Sequence, residues 1–344
     1  MQRVKQIIKM KNYINNLISL TGLYFILIKN LKYQRKYIQK TLTIDIKESK
    51  NDNDNSLDDQ DYKKITDYYG YAVPAILGES FCILRGRRMS SEERIAITYL
   101  GGLTGLFDDF FDKKDMPESY IRNLIENPDK LSGNNSNERL IIKFYRKALE
   151  HSADANLVKH YSLKVHDAQI LSKKQICPEI ERDEIARITL LKGGISLLFY
   201  RSIFSEYMSE EEKMMLYKLG GVMQLENDIF DVYKDYKDGI RTLVTIEKSI
   251  DNLRKTYVSL AEEIATLTRE INYPVNNKKM FLRIVCLVIC RGFVCLDMLE
   301  NNERSTNNTF SLANYERRDL ICDMENPINF LKTINYYSKY NIEI

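Results

Sequence analysis

Apolar residues recur at three- and four-residue spacing through 139–170, 183–207, 240–271 and 278–300. That period marks helices with one buried stripe, and no stretch alternates with a period of two for long enough to argue a strand. The pattern predicts an all-α protein of roughly ten helices. Polar stretches punctuate it. "DIKESKNDNDNSLDDQDYKK" at 45–64 reads as a mobile loop, while "LSGNNSNE" at 131–138 and "NNERSTNNT" at 301–309 read as helix connections. The expected organisation is an N-terminal helical segment with its polar linker over 1–60, followed by one all-α domain over 61–344.

Composition agrees with this and removes some function classes. Six prolines and 14 glycines in 344 residues suit a mainly helical chain. A net charge of +3, with no basic stripe interleaved with stacking aromatics, gives no reason to expect a nucleic-acid partner. The six cysteines form no Cys-x-x-Cys pair and only three histidines are present, so a zinc site is not expected. Cys286, Cys290 and Cys295 fall in the apolar run "FLRIVCLVICRGFVCLDML" and read as buried, reduced thiols. The N-terminus lacks a signal-peptide layout, and the apolar run "LISLTGLYFILI" at 17–28 is shorter than the roughly 20 residues a bilayer span needs. A cytoplasmic protein without a transmembrane span is expected. Peripheral membrane contact through that basic-flanked run, and a homodimer, stay open.

One pattern occurs twice. "SSEERIAITYLGGLTGLFDDFFD" at 90–112 and "SEEEKMMLYKLGGVMQLENDIFD" at 209–231 align at an offset of 119. They share a Ser-x-x-Glu capping box (Ser90 and Glu93; Ser209 and Glu212), then a Leu-Gly-Gly, then an acidic end. Each Gly inside a helix costs about 0.5–1 kcal/mol against Ala. Two matched pairs therefore need a reason, and either close approach of a neighbouring helix or space for a ligand would supply one.

The acidic ends carry the candidate chemistry. In "DDFFD", Asp108 and Asp112 share a helix face, with Asp109 turned about 100° from Asp108. In "NDIFDVYKD", Asn227, Asp231 and Asp235 recur at i, i+4 and i+8, with Lys234 beside that face. Like charges at this spacing repel, and a divalent cation relieves the repulsion. Oxygen donors without His or Cys point to Mg²⁺, which completes its octahedron with water and phosphate oxygens. The duplicated helices read as two walls of one phosphate-binding mouth.

These residues make the chain resemble the class I terpenoid synthases, the family of terpene cyclases and trans-prenyl diphosphate synthases. "DDFFD" matches the family's DDxxD motif in full, and "NDIFDVYKD" is similar to the cyclase motif NDxxSxxKE. Asp231 stands where Ser or Thr is usual and Asp235 where Glu is usual. Asp231 moves the second motif towards the second DDxxD of prenyl diphosphate synthases. The resemblance extends from about residue 85 to the end, and the first 60 residues lie outside it.

The resemblance implies an all-α bundle around a central apolar cavity. Asp108, Asp109, Asp112, Asn227, Asp231 and Asp235 become catalytic metal ligands for several Mg²⁺ ions that bridge the diphosphate of a prenyl substrate. It implies a diphosphate contact for Lys234, and Arg182, Lys192, Arg317 and Arg318 are further candidates by position. After "DDFFD" the chain reads "KKDMPESYIRN", without the arginines that elongating enzymes use to hold a second diphosphate. A cyclase is therefore expected ahead of a prenyltransferase, whether an elongating or a squalene/phytoene-like coupling enzyme. Phe107, Phe110, Phe111, Phe199, Tyr200, Phe230 and Tyr233 are available to face a carbocation. A helical protein that holds diphosphate without turnover is the reading from another class.

Overall fold

The computed structural model describes residues 2–113 and 116–339, apart from the side chains of 2–11 and 108–113. It is helical throughout, and among the described residues no strand forms. The N-terminal part holds α1 (Gln2–Thr41), α2 (Thr43–Asn51), α3 (Asp59–Lys63), α4 (Gly70–Ala72) and α5 (Glu79–Arg85). Widened π-turns at Lys64–Tyr69 and Val73–Gly78 join the last three into one run. Then come α6 (Ser91–Lys113), α7 (Glu118–Glu126), α8 (Ser136–His151) and α9 (Ala155–Ser172). The remainder holds α10 (Arg182–Arg201), α11 (Glu210–Phe230), α12 (Val232–Lys237), α13 (Ile250–Glu270) and α14 (Val275–Ser305). The last two helices are α15 (Arg317–Leu320) and α16 (Pro327–Lys339).

The helical period was legible, but the expected loop at 45–64 is smaller than its polarity suggested. Residues 43–51 and 59–63 are helical, which leaves 52–58 as the connection. The reason is local. Asp58 caps α3 by accepting from the Gln60 and Asp61 amides, and Asp61 returns the bond to the Asp58 amide. The connection is also pinned: the Asp54 amide donates to Ser136 Oγ at 3.1 Å, and the Ser136 amide donates back to Asp54 at 3.0 Å.

The chain divides into two compact units. One comprises Met1–Leu23, Ile170–Leu197 and Met208–Ile344; the other comprises Tyr24–Gln169 and Leu198–Tyr207. In the second unit α6 is central and packs on α8 and on the run from Lys64 to Gly78. Leu100, Leu103 and Leu106 of α6 are buried, and Tyr99 meets Phe144 of α8 edge-on at 5.1 Å. In the first unit α11, α13, α14 and α16 pack in succession. Tyr257 of α13 is buried there and donates to the Ile289 carbonyl of α14 at 2.9 Å. Cys286, Cys290 and Cys295 are free and buried on α14, as their apolar setting indicated.

Candidate functional site

The two Gly-Gly pairs mark close helix crossings. A Cβ at Gly220 of α11 would collide with the Gly193 carbonyl of α10, and one at Gly193 with the Gly220 carbonyl. The next residue, Gly221, faces Leu190. In the other unit a Cβ at Gly101 of α6 would lie 2.8 Å from the Tyr69 carbonyl oxygen, and one at Gly102 would lie 3.0 Å from the Phe144 ring. Of the two reasons for the glycines, close helix approach is the one that holds. α10 also runs unbroken from Arg182 to Arg201, and its Gly193–Gly194 pair serves contact with α11.

The crossing aims a row of α11 side chains at α10. Gln224 and Asp228 follow Gly221 at three and seven residues, on the same helix face. Asp228 is buried and accepts from Gln224 Nε2 at 2.8 Å and from Thr189 Oγ1 of α10 at 3.2 Å. Burial raises its carboxyl to about 6, against the pull of Gln224, the Lys192 charge and Thr189.

Asp231 closes α11 at φ −90° and ψ 8° before α12 begins. Asn227 and Asp231 stay on the exposed side, joined by an Asn227 Nδ2 to Asp231 bond of 3.2 Å. Asp235 turns inward and is buried. Its carboxyl is raised to about 7, first by burial and then by the charges of Asp228 and Asp231; Lys234 and Lys192 oppose the rise. Of the three residues expected on one ligand face, Asn227 and Asp231 are thus exposed and Asp235 is buried, with Asp228 as a second buried acid. Sequence reasoning left Asp228 out of the ligand set, although its spacing from Gly221 was there to read.

The basic candidates divide. Lys192 is half-buried on α10, and its charge bears on both Asp228 and Asp235. Lys234 is exposed and lies 3.5 Å from Asp238. Arg317 and Arg318 are exposed on α15, which packs beside α12. Arg318 pairs with Glu316 at 3.2 Å and Asp319 at 3.8 Å. Arg182 begins α10, about 15 Å back along the helix from Lys192, and sits 3.4 Å from Glu247. Phe230 is half-buried with the Arg291 guanidinium 5.3 Å from its ring centre, while Phe199 and Tyr200 are buried. Asp108, Asp109 and Asp112 belong to the helical backbone of α6, but their side chains lie outside the described residues, as do those of Phe110 and Phe111.

The carboxylates of Asp228, Asp231 and Asp235 offer only oxygen, the donor type Mg²⁺ takes, and the charges of Asp228 and Asp231 add to burial in raising Asp235. Among the described residues no group of three His, Cys, Asp or Glu side chains is placed to hold a metal alone. A preformed cage is not what Mg²⁺ uses when one or two carboxylates share it with substrate phosphates. A separate cavity of about 680 Å³ beside α8 is lined by charged groups, among them Arg139, Lys143, Arg146 and Lys159. Lys143 there is held by Asp45 and Glu48, each at 2.7 Å. No protein-family model matches the chain, and no curated protein sequence matches it.

Proposed function

We propose that this protein is a Mg²⁺-dependent class I terpene synthase that ionises a prenyl diphosphate and converts the carbocation to a terpene. The observation that carries the proposal is the acidic end of α11 and α12. There Asp228, Asp231 and Asp235 act on one another with Lys192 and Lys234 in the same field. The matched acidic end of α6, read from sequence, supplies the second half.

Asn227, Asp231 and Asp235, with Asp108, Asp109 and Asp112, would hold the metal. Bound Mg²⁺ supplies Lewis-acid stabilisation of the leaving diphosphate. Lys192 and Lys234 add charge-assisted hydrogen bonds to the same oxygens, and Arg317 and Arg318 on the neighbouring α15 can join them. The allylic carbon–oxygen bond breaks with both electrons going to the diphosphate oxygen. The cation left on carbon needs a dry, apolar surround with aromatic faces, which would have to form a central cavity of the bundle. Loss of a proton from carbon then ends the reaction as a hydrocarbon.

Asp231, in place of the usual Ser or Thr, favours a second reading, a prenyltransferase that joins two prenyl units. Incubating the purified chain with Mg²⁺ and prenyl diphosphates of increasing length, followed by analysis of hydrocarbon extracts, separates the two. Terpene from a single substrate supports the synthase, and a need for two substrates supports the transferase. Asp108→Ala and Asn227→Ala should each abolish product. Absence of both hydrocarbon and diphosphate release from every substrate would end either proposal.

A further inference from the structure

A helix that is apolar on all sides belongs in a core or in a membrane. α1 meets the first half of that description and only part of the second. Over Asn12–Thr41 it is long and apolar enough to cross a bilayer by length and composition, and only 11% of its apolar window is buried. One side is fixed to the protein. Leu20, Leu23, Gln34 and Ile38 are buried, and Asn16 Nδ2 donates to the Ser338 carbonyl at 3.2 Å. Gln34 Nε2 donates to the Gly70 carbonyl at 3.0 Å and to Thr98 Oγ1 at 2.9 Å.

The other side faces outward with Ile14, Ile18, Phe25 and Ile28, of which Phe25 is 78% and Ile18 66% exposed. At about 100° per residue these four fall within an arc of roughly 80°. Lys29, Lys32 and Lys36 continue the same face and are exposed. Charge along the chain is lopsided in the same sense. Arg3, Lys5, Lys9 and Lys11 precede the apolar stretch, Lys29, Lys32, Arg35, Lys36 and Lys40 follow it, and no acid occurs before Asp45. The other 300 residues carry 42 Lys and Arg against 48 Asp and Glu, so the positive charge of the protein is concentrated on this helix.

We infer that the outward face of α1 lies in the surface of an anionic lipid bilayer, with Ile14, Ile18, Phe25 and Ile28 in the acyl boundary and the lysines on lipid phosphates. An apolar stripe continued by cations on one face, in a segment without acids, is the arrangement of an in-plane helix. A second copy of α1 would bring like charges together, whereas anionic headgroups neutralise them. Because its inner side is bonded to the protein at Asn16 and Gln34, α1 rests on the bilayer and does not cross it. The inference is independent of the diphosphate chemistry.

The test is flotation of the full chain with vesicles of phosphatidylcholine alone or with about 30% phosphatidylserine. The chain should float with the anionic vesicles, and about tenfold less should float at high salt. An Ile18→Glu/Phe25→Glu variant should lose flotation by about tenfold with unchanged circular dichroism and melting, since both side chains are exposed in the free protein. Lys29→Glu/Lys32→Glu/Lys36→Glu should lose it as well. The inference is overturned if the wild type stays in solution with anionic vesicles, or if either variant floats like the wild type. Resistance to an alkaline wash would overturn it in favour of a crossing helix. Concentration-dependent dimerisation without vesicle binding, abolished by the Glu variant, would overturn it in favour of a protein interface.

Discussion

α6 and α11 begin with the same wording and are built into different surroundings. Both open on a serine whose hydroxyl accepts from the amide of a buried glutamate three residues on, at 3.2 Å in each case. In α6 that glutamate, Glu93, returns a bond to the Ser90 amide at 3.0 Å and is gripped by Arg87 at 2.7 Å. Burial alone would raise the Glu93 carboxyl, but Arg87 and the Ser90 amide hold it at about 2. In α11 the matching Glu212 instead accepts from the Tyr273 hydroxyl at 2.8 Å. The glycine pairs differ in the same way. Gly220 meets the backbone of α10, Gly101 the carbonyl at a π-turn, and Gly102 the ring of Phe144. A shared sequence pattern therefore fixes that a neighbour comes close and leaves open what the neighbour is.

Substitutions at the crossings should break the comparison most visibly. Gly220→Ala sets a methyl against a carbonyl that cannot move without separating α10 from α11, and should cost about 3 kcal/mol. Gly101→Ala should cost about 2 kcal/mol, and Gly102→Ala about 1 kcal/mol or less, because the Phe144 ring can turn while Ala regains helix propensity. Urea midpoints order the three; equal midpoints would mean that both crossings are loose.

A smaller effect is read by pH at the acidic end of α11 and α12. Glu226 and Asp235 are raised to about 7 and Asp228 to about 6, each first by burial. A carboxyl whose folded pKa lies above its unfolded value favours the fold while protonated. Its contribution is full below about pH 4 and is lost as pH rises through 6 to 7. Asp235→Asn should remove part of that loss and stabilise the protein at pH 7.5 by on the order of 1 kcal/mol, while abolishing activity. A melting temperature that still falls as steeply from pH 5 to 7.5 in the variant (buffer values near the carboxyl range) would contradict this.

Capping sharpens the likeness. Ser90→Ala and Ser209→Ala should each cost about 1 kcal/mol, since both serines satisfy one first-turn amide. Thermal melts showing a loss in one and none in the other would divide the two helices at their starts. The smallest effect belongs to Arg318→Ala. Its ion pairs are solvent-exposed, so its stability change should stay within about 0.5 kcal/mol, and any larger effect should appear in diphosphate affinity.

The helices, both serine caps and the buried thiols of α14 were legible, because each depends on local periodicity or on a residue type with one common use, whereas the glycine pairs left a close neighbour and a ligand equally open. Asp228 was half legible. Its place seven residues beyond Gly221 put it on the crossing face, but only the position of Thr189 and Lys192 on α10 makes it a buried, hydrogen-bonded acid. The inward turn of Asp235 was hidden because nothing in "DVYKD" marks the break at Asp231. The polar run 45–64 misled, since an aspartate such as Asp58 caps a helix as readily as it sits in a loop.

The most direct test of the claim that both acidic ends serve one substrate is calorimetric titration of the chain with inorganic pyrophosphate in excess Mg²⁺. One pyrophosphate should bind per chain, and either Asp112→Ala or Asp235→Asn alone should weaken it by about 100-fold or more. Two pyrophosphates per chain, or undiminished affinity in either variant, would contradict a shared role.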